Sequence, residues 1–483
     1  MSEEGKGGDI FRSEHKLRCG ARRKYISPLP NLAFFFIFFL CATNAFSEKG
    51  VQVTQLSTGQ KLIVAEDKSL PVSTIYAVGR FGYVSDSPEH EGLSSLAGNM
   101  LLRGTSTRAR EEIRDELDQL GADIDVSVGA EGIQIFGQTL TRNLDKFLDI
   151  FQDVILHPKF DTKELEKEKR ETIAGLKEMR ENDQALAKYF FKRALFEGHP
   201  YSFNSDGREA TLKKITREKV LSYYKAYFLR DHFFFAASGD IQAEKISEKL
   251  SRYFKEMPSG KSAVFRYPPL KSWKGKKIFL VDKPARTQTQ ILIGHHGIDI
   301  HHPKFFPVMV ANNAFGGGFT SRLMQEVRVK RGWSYGAYSW FSPGKAPGEF
   351  AMWVFPAEKD TIETLKLVLS LYKEYAKKGL TKEEFERSKS NLINEFSFKI
   401  DTARKRIGQW VTIELMGLPS DYLETYQSNI RKVTLEEANS TIHALSDPAN
   451  LQITVVCTAS HLKKRLKELG DNLHIKVKKY TED

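Results

Sequence analysis

Two short stretches of this chain hold residues spaced for chemistry, and they differ in what their side chains can do. Residues 92–105 read GLSSLAGNMLLRGT. Ser95 and Asn99 stand four apart, a spacing that puts two side chains on one helical face and lets both reach one metal ion. A hydroxyl and an amide are poor zinc ligands, because zinc takes imidazole, thiolate or carboxylate donors. Gly98, between them, offers no carboxylate to take a proton from a bound water. Residues 316–335 read GGGFTSRLMQEVRVKRGWSY. There Arg328 and Tyr335 stand seven apart. A guanidinium is always charged and a phenol donates a hydrogen bond, so the pair suits a developing oxyanion. Alone, the same spacing also fits a surface arginine and a tyrosine in a strand core.

Both stretches resemble one family, the pitrilysin/insulinase-type zinc peptidases. Their active-site helix carries H-x-x-E-H inside a frame like G-L-x-H-x-x-E-H-M-L-x-x-G-T. Gly92, Leu93, Met100, Leu101, Gly104 and Thr105 keep that frame, while Ser95, Gly98 and Asn99 stand at the His, Glu and His positions. The family's third ligand is a glutamate on a later helix. In the matching segment, Lys169 to Leu176, Gly175 falls at or near it, with Glu171 and Glu178 as neighbours that would need a register shift. The second stretch is similar to the family's G-G-G-x-x-S-R-L segment. The resemblance implies that Arg328 and Tyr335 hold a substrate carbonyl and stabilise its oxyanion, with Gly316, Gly317 and Gly318 at the wall of the substrate chamber. It covers nearly the whole mature chain, including ALFEGHPYSF at 194–203. In the bacterial two-domain branch one subunit carries the zinc motif and its partner the Arg/Tyr pair. This chain therefore resembles the subunit without zinc, and its cofactor is expected in the partner.

Other candidates carry less. Gly316–Gly318 is no phosphate loop, since no G-K-[ST] follows. His295, His296, His301 and His302 cluster in sequence, but adjacent strand residues point to opposite faces, and surface positions are expected for them. His199 precedes Pro200 in a loop and His90 has no second donor nearby in sequence. The hairpin around Asp123–Ile135 is either an ordinary packed hairpin or, as the resemblance implies, an edge to which a peptide adds as a strand.

The elements that must position these residues run in two similar passes. The first shows β-rich segments, the degenerate helix, a hairpin, helical patterns at 142–157, 161–190 and 216–227, and the strand HFFFAASGDI at 232–241. The second starts near 273 and runs strands, a helix over 303–314, the glycine-rich segment, a helix through Glu326, a strand pair, helices at 359–378 and 381–401, the strand LQITVVCTA and a basic helix. This order implies an internal duplication of about 210 residues. Strand runs followed by helix runs give an α+β class rather than a doubly wound sheet. The expected architecture is two homologous domains, each a mixed sheet with helices packed on one face, together a half clam-shell. The expected boundaries are a signal peptide at 1–45, domains at 46–256 and 275–483, and a linker at 257–274 where Pro258, Gly260, Pro268 and Pro269 cluster.

Length and composition agree with this reading. A chain of 483 residues allows two to four domains at about 100–200 residues each. Arg22, Arg23 and Lys24 precede the apolar run Leu32 to Ala42, and Thr43-Asn44-Ala45 offers small residues for cleavage. This is signal-peptide grammar, since a membrane span needs about 20 apolar residues; an uncleaved anchor is the alternative, and the true start lies either at Met1 or downstream. The net charge of +12 is spread among acids, with no basic-aromatic stripe in the linear sequence to grip nucleic acid. Cleavage would leave Cys457 as the sole thiol, too few for a disulfide or a cysteine zinc site, as suits a bacterial periplasm. The expectation is thus an exported subunit that pairs with a zinc-bearing paralogue to cleave peptides, with no nucleic acid and no membrane among its partners once the signal is removed. Two other readings stand beside it: a non-catalytic peptide-binding or scaffold protein, and an autonomous peptidase with a displaced metal site.

Overall fold

The computed structural model describes residues 47–48, 50–261, 265–470 and 473–482; the signal-peptide expectation at 1–45 lies outside them. The first pass runs β1 (Ser47–Glu48), β2 (Val51–Gln55), β3 (Lys61–Glu66), β4 (Val72–Gly79), α1 (Leu93–Asn99), α2 (Arg110–Leu120), β5 (Asp123–Val128) and β6 (Ile133–Leu140). Then come α3 (Leu144–Leu156), α4 (Thr162–Met179), α5 (Asp183–Leu195), α6 (Glu209–Leu212), α7 (Arg217–Tyr227), β7 (Phe233–Gly239) and α8 (Ala243–Tyr253). The second pass runs β8 (Lys276–Asp282), β9 (Gln290–His296), α9 (Phe305–Gly316), a π-helical segment Met324–Val329, β10 (Ser334–Ser342) and β11 (Glu349–Pro356). It continues with α10 (Thr361–Lys378), α11 (Lys382–Lys399), α12 (Ala403–Met416), two further helices, β12 (Gln452–Cys457) and β13 (Leu473–Lys479).

The two sheets repeat one topology. The first is ordered β1-β2-β3-β7-β4-β6-β5 and the second β10-β11-β9-β12-β8-β13. Read from β5 and from β10, five strands follow in the same order, with β3 parallel to β7 and β8 parallel to β12. The sixth differs: β2 lies antiparallel on β3, whereas β13 lies parallel on β8. The segment after LQITVVCTA is therefore not simply the expected basic helix. A short turn of helix at Ala459–Leu462 gives way to an edge strand. Its signal was present: Leu473, Ile475 and Val477 alternate with His474, Lys476 and Lys478, a period of two.

Each sheet carries its own helices on one face, as expected for the α+β class. Leu62, Val64, Ile75, Ala77, Phe233 and Phe235 pack against Phe147, Leu148 and Phe151 of α3. Ile291, Ile293, Met352 and Val455 pack beneath α9 and α10. The opposite faces are covered by an exchange. Helix α12, from the second half, lies on β3, β7 and β4 of the first sheet, and α5, from the first half, lies on β12, β9 and β8 of the second. Ile407, Trp410 and Val411 meet Ile63, Ala65 and Phe234; Leu186, Phe190 and Phe191 meet Leu292, Ala351 and Val456. At roughly 1.5–3 kcal/mol for each large apolar side chain removed from water, either helix binds its foreign sheet firmly. Ion pairs fix both: Glu414 of α12 receives Lys61 at 2.7 Å and Arg80 at 2.6 Å, and Asp183 of α5 receives the buried Lys283 at 3.0 Å.

The packing of α10 corrects the surface reading of His295. It is buried on β9, where Nε2 meets the Tyr372 hydroxyl at 2.5 Å and Nδ1 meets the His296 carbonyl at 2.7 Å. A strand covered on both faces has no solvent side for either of two adjacent residues.

Candidate functional site

Helix α1 is short and tightly held. Asp86 accepts from the backbone N–H of Gly92 at 2.9 Å and of Ser94 at 3.0 Å, satisfying its first turn. Burial pushes the Asp86 carboxyl up to about 7 despite those bonds. Glu91, 1% exposed, receives Arg193, Arg208 and the Asn204 N–H. The helix lies beside β5, and this contact decides what Gly98 can be. A Cβ there would stand 3.0 Å from Val126 Cγ1 and 3.1 Å from Ile133 Cδ1. The position at which a general base would project is filled by apolar side chains.

The zinc-ligand positions do not fit zinc. Ser95 is buried, and the Asn99 amide donates to Glu168 Oε1 at 2.9 Å. Glu168 on α4 is thus the carboxylate that meets this helix, a residue the sequence reading did not single out. Gly175, two helical turns further along α4, has open space around it. The positive charge nearby belongs to Arg103, whose guanidinium pairs with Glu168 and Glu171 and stands 3.8 Å from Glu164. Among the described residues no group of three or more His, Cys, Asp and Glu could hold a metal ion.

The second half holds the other candidates. Helix α9 ends at Gly316, where a Cβ would overlap the backbone nitrogen and hydroxyl of Ser339 on β10. Gly317 is crowded by Asn313 Cα at 2.6 Å, while Gly318 is open. Close approach therefore explains the first two glycines and not the third. Arg322 then clamps the segment: its guanidinium donates to both oxygens of Glu384 on α11, at 2.7 and 2.6 Å, and to the Gly379 carbonyl. Such a bidentate pair fixes direction as well as charge. The chain next winds as a π-helix, with Lys330 N–H bonding to the Gln325 carbonyl, and Arg328 lies on it. One extra residue per turn shifts side-chain phase, a device frequent at functional sites.

Strand β10 is one of the two edges of the second sheet, and its ladder with β11 shifts register between Ser334 and Ala337. The Ser334 hydroxyl stabilises this bulge, donating to the Gly336 carbonyl and accepting from Phe355 N–H. A bulge re-aims the residue within it, and Tyr335 is 75% exposed. Arg328 and Tyr335 are brought together: the guanidinium carbon lies 4.5 Å from the Tyr335 ring centre and 4.8 Å from that of Phe319. Phe319, 63% exposed, was not anticipated; an aromatic residue three positions beyond Gly316 was its only signal. Lys330 and Arg331 both pair with Glu326. Arg328 makes no ion pair among the described residues.

His199 has a structural role. His199 is buried, accepts from Tyr201 N–H at 3.0 Å, and is pushed down to about 4 by burial and by His296. Cys457 is buried in β12, and burial pushes its thiol up to about 12. No helix among the described residues is long and apolar enough to cross a membrane.

Comparison with known proteins agrees with this geometry. Residues 62–204 match the family described as Insulinase (Peptidase family M16), and residues 214–392 match the Peptidase M16 inactive domain. A Helicobacter pylori protein called non-peptidase homolog YmxG is 24% identical over 398 residues, 82% of this chain and 91% of that one. A Bacillus subtilis protein called uncharacterized zinc protease YmxG is 22% identical over 354 residues, 73% of this chain and 85% of that one. Among solved structures, the peptidase M16 inactive domain from Pseudomonas fluorescens superposes with a TM-score of 0.78 at 25% identity, covering 84% of this chain and 97% of that chain. The first half of the periplasmic protease PqqL from Escherichia coli gives 0.73 at 13% identity, covering 86% and 94%. The first match takes in the erased helix and the second the arginine and tyrosine, and the chain belongs to the insulinase family of peptidases, peptidase family M16, as a homologue lacking that family's zinc-binding residues.

Proposed function

We propose that this chain is the zinc-free subunit of a two-chain peptidase in the bacterial periplasm, presenting Arg328 and Tyr335 to a peptide held at the zinc site of a family partner. The observation that carries this reading is the Arg328 guanidinium, stacked between Phe319 and Tyr335 with no carboxylate to neutralise it among the described residues. A half-buried cation with no anionic partner among the described residues, braced by aromatic rings, is held ready for an acceptor that the chain itself does not supply. A carbonyl oxygen is such an acceptor, and it becomes a better one as negative charge develops on it; the Tyr335 hydroxyl donates to the same atom. Gly316 sets the end of α9 against β10, the strand that carries Tyr335, and Gly318 leaves open space beside it for a peptide.

The test is co-expression of the full chain with a family partner that retains H-x-x-E-H, followed by assay of a quenched peptide mixture. Cleavage in the mixture alone, lost with Arg328→Ala, supports the reading. Absence of a complex, or of any gain in activity, overturns it.

A second reading, a peptide-binding or scaffold protein without catalysis, is favoured by one observation. Strand β5 is an open edge, and its Val126 closes over Gly98. Under that reading Arg328→Ala and Tyr335→Ala leave function unchanged.

A further inference from the structure

Strand β13 and the segment leading into β8 build a cationic surface that is absent from the linear sequence. From Arg266 to Phe279 the chain carries Arg266, Lys271, Lys274, Lys276 and Lys277 and no acid; β13 reads LHIKVKK. The parallel register sets His474 beside Lys277, Lys476 beside Phe279 and Lys478 beside Val281. Paired residues of neighbouring strands share a face, so these groups line one side of the sheet. The ammonium groups lie over aromatic rings: Lys277 is 5.2 Å from the centre of Trp273, Lys476 is 5.8 Å from Phe279 and Lys478 is 5.7 Å from Phe190. Lys277 and Lys476 have no carboxylate partner among the described residues. Beneath them is a cavity of about 350 Å³ floored by Phe190 and Phe279, on whose lining Glu197 is the sole acid.

The same strand is an open edge, last in its sheet, with Val477 39% exposed. An edge strand presents a row of unpaired backbone N–H and C=O groups. Lysines guard such an edge by repelling a strand like itself. They do not guard it against a strand of opposite sign, because opposed charges across a pair attract. Alternate residues of a strand are about 6.6 Å apart. The cations of β13 therefore repeat at the spacing of same-face side chains in an added strand.

We propose that β13 is a docking edge for an extended acidic peptide segment, which pairs its backbone with β13 and sets alternate Asp or Glu side chains opposite His474, Lys476 and Lys478. A phosphate group or lipid headgroup would meet the charges but leave the backbone row unused. The open edge is what favours a polypeptide.

The test is titration of the full chain into a fluorescein-labelled ten-residue peptide alternating glutamate with valine, read by anisotropy. Saturable binding that weakens with salt is expected. The double variant Lys277→Glu/Lys476→Glu should weaken it at least tenfold and create affinity for a lysine–valine peptide. Val477→Pro keeps every charge but blocks backbone pairing, and should abolish binding; added amide-exchange protection at 473–479 in the unmodified chain reads the same pairing without a variant. Absence of binding, insensitivity to salt, or unchanged binding by Val477→Pro without amide protection overturns the proposal. So does tighter binding of phosphatidylglycerol vesicles or single-stranded DNA that displaces the peptide.

Discussion

Helix α1 and helix α9 occupy corresponding places, each following the antiparallel strand at the centre of its sheet, β4 or β9, and each preceding the strand pair that ends in an open edge. Their surroundings have diverged. Around α1 every polar group that matters is spoken for: Asn99 by Glu168, Glu91 by two arginines, and the space at Gly98 by Val126 and Ile133. Beyond α9 the scaffold is just as firm, through Arg322–Glu384 and the Ser334 bulge, yet it ends in an arginine without an anion and an exposed tyrosine. A region released from chemistry settles into packing and internal pairs. A region that keeps a charge without an internal anion at a braced edge keeps a group able to meet an outside acceptor.

The largest effect that sharpens this contrast is catalytic. In the proposed two-chain peptidase Arg328→Ala should lower turnover of a quenched peptide about 10²–10³-fold, the loss usual for a donor to a developing oxyanion. Tyr335→Phe removes one hydrogen bond and should cost about tenfold. Asn99→Ala should leave turnover unchanged, and a comparable loss there would break the comparison. Next is an attempt to rewrite the first half. The triple variant Ser95→His/Gly98→Glu/Asn99→His should bind no stoichiometric zinc by metal analysis, since Gly175 still supplies no ligand. Overpacking at Gly98 should also lower its stability by about 1–3 kcal/mol in chemical denaturation. Bound zinc with unchanged stability would show that the site is vacant rather than filled.

Smaller is the loss from Glu414→Ala. Burial works against its ionisation, but Lys61 and Arg80 outweigh burial and hold the carboxyl below its usual value. Because Lys61 is 40% exposed, the cost is discounted to about 1–2 kcal/mol, below that of a fully buried pair. This contribution is present above the unfolded carboxyl pKa and should fade as pH falls through the folded one.

A further effect is confined to a pH window. Asp86 is raised from 3.8 to about 7, so the folded chain holds its proton where the unfolded chain has released it. Its contribution is full at acidic pH and is lost as pH rises toward 7. Asp86→Asn should flatten that decline in stability, measured by denaturation across the window.

What the sequence made legible followed from local rules. The frame around 92–105 names its missing ligands, because each is a side-chain identity at a fixed spacing. Thr216 and Thr381 announce helix starts and do cap α7 and α11. The juxtaposition of Arg328 and Tyr335 was implied by the family frame. What stayed hidden depends on partners far along the chain. The apolar residues of α5 and α12 show only weak one-sided patterning and carry no label for the sheet they cover. The burial of His295 depends on Tyr372 of α10, 77 residues later, and the cover over its neighbour His296 on Leu195 of α5, 101 residues earlier. Phe319 acts through the π-turn that carries Arg328, and no periodicity signals a π-turn. The cationic surface at β13 was invisible because its two segments lie almost 200 residues apart, each ordinary by itself.

The crossed placement of α5 and α12 also has a mechanical consequence. Each half is clasped by an arm of the other, so the halves behave as one stiff plate rather than two leaves on a hinge. Cutting the connection between residues 257 and 274 would leave that clasp closed. In the proposed two-chain peptidase, any gape that admits a long polypeptide would then come from movement between this plate and its partner, so its rate would depend on the strength of that contact.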